Sequence, residues 1–162
     1  MFPRWANFQI EIQNKVKQIP MSLSYVKTVA RAILKALNWK RVTLSILFVD
    51  DRTMRRYNRQ YLRHDRTTDV MAFGHLDHDD GVKKNLLVSD APFLGDILIS
   101  LPMAKRQAAQ YGNSLRYEIS YYLCHGILHL MGYEDKKKKD AVRMARKQQR
   151  ILKAIGVKNR ES

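Results

Sequence analysis

The chain has 162 residues, 30 Lys+Arg against 15 Asp+Glu, and a formal net charge of +15. That length predicts one domain, able to bury roughly two thirds of its unfolded surface without a disulfide or structural metal. The 45% hydrophobic content excludes wholesale disorder, and the charge points to a polyanionic partner, nucleic acid before an acidic membrane surface.

In chain order, Phe8-Gln9-Ile10-Glu11-Ile12 alternates apolar and polar, the pattern of a half-buried strand. Ser22 or Ser24 caps a predicted helix to about Asn38, with Val26, Val29, Ala30, Ile33 and Leu37 on one face. Val42 to Val49 is β-branched and apolar, a predicted central strand. Asp50 or Asp51 caps a helix through Met54, Tyr57, Asn58 and Tyr61, and Val70 to Phe73 is a short strand. His75 to Ser89 reads as a loop. Its His75, Asp77, His78, Asp79 and Asp80 read as a solvated acidic turn, though the spacing can hold an ion.

Leu94 to Ser100 is another apolar strand, and Pro102 fits the first turn of a helix that ends at Gly112. Ser114 caps the next, with Leu115, Ile119, Tyr122 or Leu123, Ile127 and Leu130 on its apolar stripe and Gly132 as its stop. Ala141, Val142, Ala145, Leu152 and Ile155 give a last amphipathic helix. About four strands and five helices make an α+β single domain, a small mixed sheet packed with helices. A βαβ unit with a glycine-rich phosphate loop is not seen, which argues against a nucleotide cofactor. Met1 to Asn14 shows no signal-peptide pattern. Ile119 to Tyr133, the most apolar stretch, is too short and too polar to span a bilayer. The expectation is a cytoplasmic protein with no membrane partner.

The chemistry concentrates in His125-Gly126-Ile127-Leu128-His129 and the residues from there to Asp135. Residues at i and i+4 share a helix face, so two imidazoles can converge on one ion. After a reversal at Gly132, Glu134 or Asp135 can reach the same ion. Zinc accepts His nitrogen and Asp oxygen, and three protein ligands with one open position suit catalysis. H-x-x-x-H alone also describes two polar residues on a partly buried helix. Gly126 occupies the place of the general-base Glu in H-E-x-x-H proteases, which disfavours ordinary zinc proteolysis. Cys124 projects about 100° from that face and reads as a core thiol rather than a fourth ligand.

His125-Gly-Ile-Leu-His129-Leu-Met-Gly132-Tyr133 resembles the signature of the YbeY family of bacterial endoribonucleases, or rRNA maturation factors. Asn58-Arg59-Gln60-Tyr61 through Asp65, Thr68-Asp69-Val70, Leu94-Gly95-Asp96-Ile97, and Gln107-Ala108 with Gly112, Ser114 and Glu118 resemble other blocks of that family in order and spacing. The resemblance covers roughly residues 40–135. It implies a metal-binding helix of metzincin-like type and one Zn2+ per chain. The ligands would be His125, His129 and Asp135, and Glu134 the candidate catalytic carboxylate.

It further implies single-strand-specific, metal-dependent endoribonuclease activity in ribosomal RNA processing, small-subunit rRNA maturation and ribosome quality control. The implied partners are single-stranded RNA, ribosomal RNA and the ribosome small subunit. The alternative is a non-catalytic assembly factor that binds rRNA and ribosomal proteins, with a structural or degenerate metal site. Metal-dependent hydrolysis of another substrate, such as a peptide, is a third reading.

Two positions depart from the family pattern. The family usually closes its motif with Asp-His, and this chain has Glu134-Asp135. The site therefore has one less unit of positive charge, and its metal is expected to be the weaker Lewis acid. Many members carry Arg after the block's Tyr, and here that position is Leu62. Arg59, Arg63 and Arg66 are the RNA-binding candidates, within a cluster that includes Arg52, Arg55 and Arg56.

Charge divides the chain. Residues 1–135, the expected catalytic body, carry 19 basic and 13 acidic residues. Residues 136–162, a basic C-terminal helix and tail of the same domain, carry 11 basic and 2 acidic. Arg143, Arg146, Lys147, Arg150 and Lys153 ring the last helix, and docking on a large RNA is expected of them. The alternative is that the stripe packs and the charges are solvated. Asp69 and Asp96 are expected to cap or turn the backbone near strand ends, and the role of His64 is open.

Overall fold

A computed structural model describes residues 7–19, 21–62, 69–74 and 92–158. Their elements in order are β1 (Asn7–Asn14), α1 (Leu23–Ala36), β2 (Arg41–Val49), α2 (Asp51–Tyr57), a π-helical turn (Asn58–Leu62), β3 (Val70–Gly74), β4 (Phe93–Ser100), α3 (Leu101–Tyr111), α4 (Leu115–Leu130) and α5 (Lys138–Ala154). The strands form one sheet in the order β1-β2-β4-β3. The first two pairings are parallel and β3 runs antiparallel to β4. The expected α+β class, mixed four-stranded sheet and five helices are what the described residues contain. The expected loop His75 to Ser89, His64 and the arginines Arg63 and Arg66 lie outside them.

Helix starts follow the predicted caps. The Oγ atoms of Ser22, Ser100 and Ser114 and Oδ1 of Asp50 each accept a backbone N–H three residues on, satisfying donors that a helix start leaves unpaired. Two readings change. The helix from Asp51 does not run on as α-helix to Tyr61. It passes at Asn58, buried at 1% exposure, into one π-helical turn, and such single turns often mark functional sites. The buried stripe of α5 is Met144, Gln148, Ile151 and Leu152, and Val142 is exposed. Of the expected stripe, Leu152 is buried and Ile155 packs against the core, while Met144, Gln148 and Ile151 join it and Val142 does not, because the buried face is centred on a glutamine that reaches half-buried His125.

β1-α1-β2 is a βαβ unit, and the link from Lys15 to Ser22 contains no glycine.

The main core lies on one face of the sheet. Val42, Leu44, Ile46 and Phe48 of β2 and Ile97 and Ile99 of β4 pack there with Ile33 of α1, Leu123 and Ile127 of α4, and Ile151 of α5. Val49, Met54, Met71 and Leu98 form a smaller cluster under α2 on the other face. Two glycines bring α4 close to the sheet. A Cβ on Gly126 would stand 3.0 Å from Ile97, and one on Gly95 would meet the Phe73 carbonyl and Leu130. Gly95 (φ +156°) follows a one-residue bulge, where the β2 register steps from Phe93 to Gly95. No helix among the described residues is long and apolar enough to cross a membrane.

Candidate metal centre

His125 and His129 sit one turn apart near the C-terminal end of α4. The helix then reverses tightly. Gly132, at φ +98°, donates its N–H to the His129 carbonyl, and Tyr133 donates to the Leu128 carbonyl. This pair of bonds is the Schellman closure that a left-handed glycine permits. It turns the chain back so that Asp135 faces the two imidazoles.

His125 Nε2 and His129 Nε2 lie 3.0 Å apart, and Asp135 Oδ2 is 3.4 Å and 3.5 Å from them. Donors held at about 2.0–2.1 Å around a tetrahedral ion stand roughly 3.3–3.4 Å from one another. The triangle has that size. Glu134 is exposed and is not one of the three converging groups.

The outer hydrogen bonds decide which ring nitrogens face the centre. His129 Nδ1 is 2.9 Å from the Tyr133 carbonyl oxygen. A carbonyl only accepts, so the proton sits on Nδ1 and Nε2 offers a lone pair. Gln148 of α5, 1% exposed, places its side-chain amide 3.0 Å from His125 Nδ1. A glutamine amide presents donor or acceptor by turning over, and its oxygen suits an Nδ1–H. With the oxygen inward, both Nε2 lone pairs and the Asp135 carboxylate converge. Three lone pairs at that spacing repel one another unless a cation lies between them, so the donor set and its outer partners fit a metal.

Burial, and secondly the neighbouring His129, hold the His125 pKa below its ordinary value, favouring the neutral, ligating ring. Tyr121, one turn earlier, stacks near-parallel on His125 with centroids 6.5 Å apart.

Cys124 is fully buried, and burial pushes its thiol pKa up to about 12. It is a core thiol and takes no part in the cluster.

A groove of about 400 Å3 opens over the centre, lined by Val70 to Phe73 of edge strand β3, His129, and the Gly132–Lys136 turn. Asp69 acts as expected at the start of that strand, where Oδ1 accepts the Val70 N–H. Asp96 does not end a strand. It lies within β4, opposite Phe73 and Ser45. Arg59 is exposed on the π-helical turn and, among the described residues, is not in the groove lining. Sequence reasoning missed Gln148 and the Tyr133 carbonyl. The signal for Gln148 is its place four residues after Met144 and three and four before Ile151 and Leu152, on the buried stripe.

The family model described as "Endoribonuclease YbeY" matches residues 9–156. A protein named Endoribonuclease YbeY in Myxococcus xanthus is 42% identical over 130 residues, 80% of this chain and 42% of that longer protein. Another, in Bacillus thuringiensis, is 35% identical over 137 residues, 82% of this chain and 88% of that one. The solution structure of a Thermotoga maritima protein superposes with a TM-score of 0.60 at 20% identity, over 91% of this chain and 89% of that one, a likeness of fold. The chain belongs to the YbeY family.

Proposed function

We propose that this member of the YbeY family is a metal-dependent, single-strand-specific endoribonuclease. Its place is ribosomal RNA processing, including small-subunit rRNA maturation and ribosome quality control, in the cytoplasm. The observation that supports it is the convergence of His125, His129 and Asp135 within 4.8 Å, in a chain whose relatives are named endoribonucleases. The imidazole nitrogens and the carboxylate oxygen hold the ion, and zinc suits that donor set. When bound, it supplies Lewis acidity toward a phosphoryl oxygen and a water of lowered pKa.

The protein's own groups do the rest. The edge of β3 and the Gly132–Lys136 turn shape the groove that receives the backbone. Glu134, on the same rim, is the candidate to accept a proton. Arg59, together with Arg63 and Arg66, binds phosphate. The basic hollow along α5, lined by Lys138, Lys139, Arg143, Arg146, Lys147 and Arg150, docks on the RNA of the small subunit.

The deciding experiment compares wild type with His125→Ala and Asp135→Ala for metal content and for cleavage of unstructured RNA. Metal and cleavage lost together support the proposal. Stoichiometric zinc without cleavage by highly purified protein favours the assembly-factor reading. Cleavage that survives loss of His125 assigns the activity to a contaminant.

A further inference from the structure

Behind β3, on the sheet face opposite the main core, lies a second groove of about 650 Å3. Its wall is aromatic. Tyr57 and Tyr61 stack with centroids 5.7 Å apart and planes 17° apart, and the Phe73 ring meets Tyr61 edge-on at 5.2 Å. Gln13 of β1, Ser45 of β2 and Asp96 of β4 are also in its lining. Tyr61 is 54% exposed. A tyrosine that served packing alone would bury its ring, because an exposed ring forgoes most of its hydrophobic gain.

Two observations point to what this wall receives. The segment that carries the tyrosines also presents Arg52, Arg55, Arg56 and Arg59 at the surface, and the Arg56 guanidinium lies 5.7 Å from the Tyr57 ring centroid. Exposed aromatics among guanidiniums are the combination by which proteins hold unpaired nucleic acid. Rings stack on bases, and positive charge follows the phosphates. The wall is also continuous with the metal centre, because Ala72 and Phe73 of β3 line both grooves.

We infer that Tyr61, backed by Tyr57 and Phe73, is a base-stacking subsite for an unpaired RNA strand, whose backbone crosses the edge of β3 to reach the metal groove. This rests on the endoribonuclease reading and deepens it by naming how single-strandedness is recognised. A paired base has both faces stacked within its helix and cannot lie on Tyr61, whereas an unpaired one can.

The test uses the full chain, an unstructured oligouridylate carrying one 2-aminopurine, and an abasic oligomer of equal length. Chelator is present, so that binding is read without cleavage. Wild type should quench the 2-aminopurine. Tyr61→Ala should bind the oligouridylate about tenfold more weakly, from the loss of one stacked base, and should bind the abasic oligomer as wild type does. Tyr61→Trp should restore both affinity and quenching. With the metal-loaded protein, Tyr61→Ala should raise KM and leave kcat unchanged.

Equal affinities of wild type and Tyr61→Ala for the oligouridylate would overturn the subsite, leaving the trio as packing or a protein contact. An equal loss on the abasic oligomer would overturn it as well. If wild type cleaves RNA while Tyr61→Ala matches it throughout, the subsite falls and the activity stands. If wild type neither binds nor cleaves unstructured RNA, the endoribonuclease reading falls and the subsite falls with it.

Discussion

The metal corner and the aromatic flank lie on two sides of the same edge strand and are built by opposite means. At the corner, the three converging groups are each aimed. His129 is held by the Tyr133 carbonyl, His125 by Gln148, and Asp135 by a reversal with two backbone bonds of its own. At the flank the side chains touch through ring faces and edges, and Tyr61 is largely in solvent. A coordination site tolerates displacements of only about 0.5 Å, so directional bonds are spent there. A surface for a flexible strand needs rings and charge that adapt to successive bases. On the proposed function, the difference separates a part that must be rigid for chemistry from a part that must be permissive for binding.

The strongest way to break that separation is to remove a ligand. His129→Ala should weaken metal binding by at least about 100-fold, beyond the range expected for an outer partner. Affinity for unstructured RNA in chelator should be unchanged. Metal titration and fluorescence anisotropy on one preparation read both, and a parallel loss of RNA affinity would show the two regions to be one.

Gln148→Ala should come next, with a 10- to 100-fold loss of metal affinity. Gln148→Glu, which keeps an acceptor beside His125 Nδ1, should recover most of it. A cobalt-substituted protein adds a spectroscopic check, because a freed imidazole changes the ligand field even where the fold is intact. An unchanged affinity and spectrum in Gln148→Ala would remove α5 from the metal corner.

Legibility in the sequence divides along the same line. His125, His129 and Gly132 were readable because helix periodicity and a glycine stop are local rules, of the same kind as the four side-chain caps that the structure bears out. Asp135 was readable only through the family motif, since spacing alone left Glu134 equally eligible. Gln148 stands 23 residues from His125, and its contact depends on how α5 crosses α4, which no local pattern encodes. The π-helical turn was hidden for another reason: its residues fit α-helical spacing, and the change in hydrogen bonding at Asn58 leaves no separate mark in composition. Gly126 was read for what it lacks, a general base. The structure adds a packing reason, since a side chain there would crowd Ile97.

A smaller effect sharpens the comparison from the flank. Arg59→Ala should lower RNA affinity and reduce the slope of log affinity against log salt by about 0.7, one phosphate contact on a single strand. Metal affinity should be untouched. An unchanged slope would take Arg59 out of the RNA path and move the charge contribution to its neighbours.

The smallest expected effect concerns how the flank is anchored. Asp51, in the first turn of α2, accepts from Arg106 of α3 and from the Ser100 hydroxyl at the end of β4. The Arg106 guanidinium, and after it the Ser100 hydroxyl, hold the Asp51 carboxyl below its ordinary value of 3.8. A depressed folded-state pKa means that the ionised form is favoured by folding. The tie therefore stabilises the protein above the unfolded pKa, and its contribution is lost as pH falls through the folded one. The pair is substantially exposed, so solvent screening keeps the gain small. Asp51→Asn should unfold at slightly lower denaturant than wild type at neutral pH, and the two midpoints should converge as pH drops below about 3.8. Because α2 carries the arginines and leads into the tyrosines, the loosened variant should lose some RNA affinity while its metal titration overlays that of wild type. A shift in metal affinity instead would mean that the flank and the corner are mechanically coupled through β4.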